Sequence, residues 1–164
     1  MTDTTASDSP ASSLLTSFAA SLGMEVDPSQ PLLAVEFVSG DHVASLFPHP
    51  GRKDLLCVEI SLRALALGEG DADSERLLFL HRLNAAARHD HPWTISIDEE
   101  DMLLLTAAFP WIGLDAESLS HLVAEGLQHA ESLDALWHSL AKETQESAES
   151  ETEELAQPNP LQIA

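Results

Sequence analysis

Eight histidines, one cysteine and a run of four adjacent carboxylates are the residues of this sequence whose types could carry chemistry. His89 and His91 flank Asp90 and would offer a divalent metal two imidazoles and a carboxylate. A zinc site needs a third and fourth ligand at defined spacing, and no His-x-x-x-His and no second cysteine supplies them. His121, His129 and His138 are eight and nine residues apart on a helical stretch, too far to converge on one ion. Asp98, Glu99, Glu100 and Asp101 resemble an acid–base set in type only. General acid–base work needs two carboxyls whose pKa values a cleft pushes apart, and four in a row at a hairpin tip read as a solvated turn. Cys57 lies in an apolar strand-like run, where a thiol is a packing group rather than a nucleophile. Gly68-Glu69-Gly70-Asp71 has no basic residue to hold a phosphate, and no nucleotide-binding glycine loop or Gly-x-Ser-x-Gly elbow occurs. The reading is of a protein that is not an enzyme and uses no cofactor or metal.

The elements that would position these residues are organised around Trp93 to Phe109. Trp93, Ile95 and Ile97 alternate with Thr94 and Ser96, the period-2 pattern of a strand, and the acidic cluster then forms a turn. Met102 to Ala108 is apolar on both alternating faces, which predicts an internal or sandwiched strand. Before this hairpin, Ser74 caps a helix to His89 with Leu77, Leu80, Leu83, Asn84 and Ala87 along one side and Leu78, Phe79 and Ala86 widening the stripe. After it, Asp115 and Ser118 open a helix to Lys142. Its Leu119, Val123, Gly126, Ala130, Leu133, Trp137 and Leu140 form a seam that either a core or a coiled coil would satisfy.

Upstream, Leu14, Leu15, Phe18, Ala19 and Leu22 recur at helical spacing between a Ser13 cap and a Gly23 stop. Strands follow at Leu32 to Val38, His42 to Phe47 and Leu55 to Leu62, an antiparallel meander with a turn at Ser39-Gly40-Asp41. The expected fold class is α+β: helix, three-strand meander, helix, β-hairpin, helix, with an antiparallel sheet flanked by helices. Residues 1–12 are a polar leader and 143–164 an acidic tail, with six glutamates between Glu143 and Glu154; the leader is expected to be disordered and the tail disordered or at most a helix frayed into solvent, around a single domain, 13–142.

The chain has 164 residues, of which 44% are hydrophobic, enough for one domain with a real core. Its formal net charge is −21, with seven Lys and Arg in all. Nucleic acids and anionic membrane surfaces are polyanions that such a chain repels, so neither is an expected partner. A lone cysteine permits no intrachain disulfide and fits a reducing cytoplasm. The first residues carry no basic start or apolar core of a signal peptide, and Leu103 to Leu114, broken by Thr106 and Pro110, is too short to span a bilayer.

Element order, size and acidity together resemble the class I type III secretion chaperones, the Tir-chaperone (CesT-like) family. The most telling stretch is the late hairpin running through Phe109-Pro110, Gly113-Leu114-Asp115 and Leu119 into the helix that carries Trp137. The resemblance implies a cytoplasmic homodimer without cofactor that keeps the N-terminal segment of a secreted effector extended and soluble and delivers it to an export-machinery component. Carried onto this sequence, effector contacts would fall at Leu14, Phe18, Leu22, Leu32, Ala34, Val43 and Phe47. Dimer contacts would fall at Leu77, Leu80, Leu83, Asn84, Ala87, Trp93 and Ile95. Ordinary core packing is the competing explanation for each. A regulatory adaptor of the same fold, binding a secretion regulator or another chaperone, is the second reading; a small enzyme is a distant third.

Overall fold

A computed structural model describes residues 10–27, 29–65, 71–87 and 92–156, without the side chains at 71–73, 75, 86, 87 and 141–156. The elements are α1 (Pro10–Ser21), β1 (Val35–Ser39), β2 (His42–Pro48), β3 (Leu55–Ala64), α2 (Asp71–Ala87), β4 (Thr94–Ile97), β5 (Met102–Pro110) and α3 (Ala116–Ala156). The five strands form one antiparallel sheet in the order β1-β2-β3-β5-β4. The α+β order expected from the sequence is the one the chain adopts.

Helix α1 starts at Pro10 rather than behind a Ser13 cap, because proline's fixed φ suits the first helical position and its missing N–H is not needed there. Pro10 to Ser12 therefore belong to the folded domain, not to a leader, and Ala11 and Ser12 are buried. The helix ends where expected: Gly23 N–H donates to Ala20 O and Met24 N–H to Ala19 O, both close to 3 Å, the paired bonds of a Schellman cap.

Strand β1 begins at Val35, three residues after the expected start. In the observed register Val35 faces Leu46, so Leu33 would face Pro48, which has no N–H to continue the ladder. Between β2 and β3 the ladder starts at Ala44↔Ile60, beside an irregularity at Ser61/Arg63. Side chains complete it there. His42, 4% exposed, donates from Nδ1 to Ser61 O at 2.8 Å, and Val43 N–H donates to Ser61 Oγ at 2.8 Å.

One face of the sheet carries the core. Leu56, Val58, Ile60 and Leu62 on β3 alternate with less buried neighbours, and Leu103, Leu105, Ala107 and Phe109 on β5 do the same. Helices α1 and α3 lie against this face and each other, and α2 packs on β4 and α3. Strand β5 is internal, as its apolar pattern predicts, but its second face is only half-covered.

The α3 seam is core: Leu119, Val123, Gly126, Ala130 and Trp137 are buried. Asp115 caps it by accepting Ser118 N–H at 2.8 Å, and bonds from the Ser118 hydroxyl and N–H hold the Asp115 carboxyl below the usual carboxylate range. Such a cap is intact above the ordinary aspartate pKa and is lost as pH falls through the lowered value. Beyond Lys142, where a disordered tail or at most a frayed helix was expected, α3 continues to Ala156. Glu, Gln, Ala and Lys are good helix formers, and extending a packed helix needs no new nucleus. Helix α2 likewise starts at Asp71, so Ser74 lies within its first turn and is not its cap.

Helix α3 comes close to its neighbours at Gly126, where a Cβ would run into Cη2 of Trp93 and lie 2.8 Å from Cδ1 of Ile60. Glycine normally costs a helix about 1 kcal/mol relative to alanine. Here Gly126→Ala is expected to lower stability by about 1–3 kcal/mol, because overpacking outweighs the propensity gain. Urea unfolding that shows the variant equal to or more stable than the parent would refute this contact.

Candidate peptide-binding surface

Among the described residues, the groups read for chemistry lie apart from one another in roles of turn, strand and helix surface. Asp98 organises the β4–β5 turn: its Oδ1 accepts the N–H groups of Glu100 and Met102, both at 2.9 Å. Asp101 takes φ +59 in that turn, and its carbonyl accepts Leu65 N–H at 2.9 Å. Burial, and secondarily Glu59, push the Cys57 thiol up, so the thiolate is disfavoured. His138 Nε2 lies 3.3 Å from an Arg63 Nη, and His129 3.6 Å from Glu125. Among the described residues no three His, Cys, Asp or Glu are grouped to hold a metal ion. His89, Asp90 and His91 lie outside the described residues, as does most of the Gly68–Asp71 loop.

What the fold does present is uncovered apolar surface, in two places. The first surrounds β1, an edge strand. Leu33 and Val38 are 71% and 73% exposed, and Leu22, Met24 and Val43 are exposed beside them. The face of the sheet away from the helices continues this region through half-buried Phe47 and Cys57. It ends in a shallow depression of about 570 Å3 lined by His49, Cys57, Glu59, Thr94, Thr106 and Ala108.

Of the residues expected to touch an effector, Leu22, Ala34 and Val43 are exposed and Leu32 and Phe47 half-buried. Leu14 and Phe18 are not on the surface. They are 8% and 1% exposed in the core, with the Phe18 ring centroid 6.1 Å from that of Phe37, so helical spacing had marked α1's inward face. Leu33 and Val38 fall within the Leu32 to Val38 strand along which exposed apolar residues were expected to touch an effector, though neither was named singly, and Met24 was not singled out. Val38 was legible: in Val35-Glu36-Phe37-Val38 the apolar-in alternation puts a valine on the glutamate's side.

The second apolar region lies around α2 and β4. Leu80 and Trp93, expected at a dimer contact, are 2% and 1% exposed within the core of a single chain and cannot meet a partner there. Trp93 packs edge-on to Phe109, with centroids 5.7 Å apart, and precedes β4 rather than opening it. Leu77, Leu83 and Ile95 are half-buried, and the Ala87 side chain is outside the described residues. Asn84 is bonded to β4: Nδ2 donates to Ile95 O and Ile95 N–H donates to Oδ1, each at 2.9 Å. Leu78, Phe79 and Ile97 are the residues that stand out, at 51%, 40% and 43% exposure. Ile97 lines an open cleft of about 400 Å3 with Leu77, Leu78 and His81.

The sequence profile of the Tir chaperone protein (CesT) family matches residues 13–134. The chain belongs to that family. Among solved structures it is similar to a chain of the ExsC–ExsE complex, at 24% identity and a TM-score of 0.62, covering 79% of this chain and 94% of that one. It is also similar to a chain of the HopA1–SchA chaperone–effector complex, at 16% identity and a TM-score of 0.55, covering 75% and 91%. A third is the Yersinia pestis type III secretion chaperone SycH, solved with a fragment of YscM2, at 22% identity and a TM-score of 0.53, covering 74% and 98%. These likenesses establish the fold. A comparison with curated protein sequences finds no match. No helix among the described residues is long and apolar enough to cross a membrane.

The burial difference has a direct consequence. Phe18→Ala is expected to cost about 3–5 kcal/mol of stability, as a large-to-small change in a packed core does. Leu33→Ser and Val38→Thr should stay within about 0.5 kcal/mol of the parent. Denaturant midpoints check both, and a harmless Phe18→Ala would contradict its burial.

Proposed function

We propose that this protein is a type III secretion chaperone that holds the N-terminal segment of a secreted effector in extended form. The observation that carries the reading is the β1 edge: a strand with one unpaired side, flanked by exposed Leu33, Val38 and Val43. A peptide adding there gains main-chain hydrogen bonds irrespective of its sequence and places alternate side chains on the apolar rim. This suits a protein that must hold an unfolded segment without reading it closely. Membership of the CesT family and similarity to a chaperone solved in a chaperone–effector complex support the same reading. The net charge of −21 keeps a loaded complex soluble.

The site works by binding alone, in the cytoplasm, with no catalytic step and no cofactor. The exposed Leu78, Phe79 and Ile97 suit a second copy of the chain, because a stripe uncovered on α2 and β4 of one protomer is self-complementary across a two-fold axis. Phe79→Asp is expected to shift the protein from dimer to monomer in light scattering at micromolar concentration, with unchanged circular dichroism. A parent protein that is already monomeric there removes the dimer from the proposal.

Co-expression with tagged N-terminal segments of secreted proteins from the same host tests the main reading. Val38→Asp and Leu33→Asp should each reduce the captured segment at least tenfold while the fold is kept. Full capture by both would place the cargo elsewhere, and capture only of a regulator or another chaperone would make the protein an adaptor.

A further inference from the structure

A five-stranded open sheet has two edges, and a chaperone that binds by strand addition is exposed to misuse of the second one. In an antiparallel ladder, the residues whose N–H and C=O point away from the partner strand alternate along the edge. On β4 the phase is set by Asp98 N–H, which donates to Met102 O at 3.1 Å across the turn. With Ile97 opposite Leu103 and Ile95 opposite Leu105, the outward groups of β4 are those of Ile97 and Ile95. On β1 the Ser39↔His42 pair closes a two-residue loop in which Gly40, at φ +60, takes the left-handed conformation. A bonded pair at Ser39 leaves Val38 and Glu36 outward.

The two edges differ in what meets these groups. Both groups of Ile95 are bonded to the side-chain amide of Asn84, one donor to one acceptor, each at 2.9 Å. A primary amide has the donor and acceptor of a peptide group, so Asn84 stands where a neighbouring strand's backbone would be. It is delivered by α2, whose body lies against β4. An incoming strand needs successive outward residues, and β4 has only four residues, of which Ile97 alone keeps its outward pair open. On β1 no described side chain bonds the outward backbone groups of Glu36 or Val38.

We infer that Asn84 is the residue that leaves the sheet a single usable edge, by blocking strand addition at β4 so that an extended peptide can pair only with β1. This rests on the reading of β1 as the docking edge and adds the residue that makes the choice. Without the block, the open β1 of one molecule could pair with the open β4 of the next. That contact is heterologous, does not close, and runs on into chains of molecules.

Residue-resolved hydrogen exchange on the unmodified protein is the first test. The Ile95 amide should exchange at least ten times more slowly than that of Val38, although both are on edge strands. Equal rates would overturn the inference. In Asn84→Leu, which keeps the branched outline of the side chain but has neither donor nor acceptor, the Ile95 amide should lose this protection and light scattering should show assemblies that grow with concentration. Adding Val38→Pro, which removes an outward N–H from β1, should abolish that growth. Unchanged protection and size in Asn84→Leu, or growth that survives Val38→Pro, would overturn it. If Asn84→Leu does not fold, Asn84→Ala carries the test by the same readouts, since it too removes both the acceptor for Ile95 N–H and the donor to its carbonyl. None of these measurements uses cargo, so a failure of the effector reading, seen as full capture by Val38→Asp, is distinguishable from a failure of this one.

Discussion

The pairing of β3 with β5 is the contact on which the rest of the molecule depends. It runs from Leu55↔Pro110 to Ala64↔Met102 and joins the meander to the hairpin across the whole α2 connection. Neither part would be stable alone, because a few strands with one apolar face must bury that face against something else. The pairing makes the two faces continuous, and α1 and α3 can then cover one of them with a single core. It also puts β5 inside the sheet and sends β1 and β4 to opposite edges.

Helix α3 is the other unifying element, and its seat shows how tightly the core is specified. Gly126 lets Trp93 and Ile60 come within van der Waals reach of the helix backbone. Arg63 of β3 and Arg76 of α2 both meet Trp137 of α3, with guanidinium carbons 5.7 and 5.5 Å from the ring centroid. Arg63 Nε is also 3.2 Å from Asp134. Cation–π contacts of this kind are worth about 0.5–2 kcal/mol each, and here they tie three elements at one point. Two of the seven Lys and Arg are thereby committed to packing, and Arg52 pairs with Asp54. The remaining surface is strongly acidic, which discourages self-association except where apolar patches or free backbone overcome it.

Those exceptions are placed with a division of labour. The β1 side offers backbone and apolar side chains together, as an extended peptide requires. The α2–β4 side offers apolar side chains, while Asn84 takes up the backbone of Ile95. The two apolar regions thus differ in whether the neighbouring main chain, among the described residues, is already bonded.

By itself the sequence determined the kinds and order of the elements, the turns, and the family. These are local properties: period 2 in Leu55 to Leu62, period 3.6 in the α3 seam, a glycine after Leu22, and carboxylates crowded at a hairpin tip. Periodicity says which side chains share a face, but not what covers that face. Val38, free at 73% exposure, could be placed by its alternation with Glu36, whereas only packing shows that Phe18, at 1%, is on the inward face of α1. The β3–β5 adjacency, the reach of Asn84 to Ile95 and the Gly126–Trp93 contact join residues far apart in the chain, and no local pattern encodes them. The helical course of 143–156 was legible only as the lesser alternative to disorder: its composition marks a solvated segment, and good helix formers that continue α3 need no new nucleus.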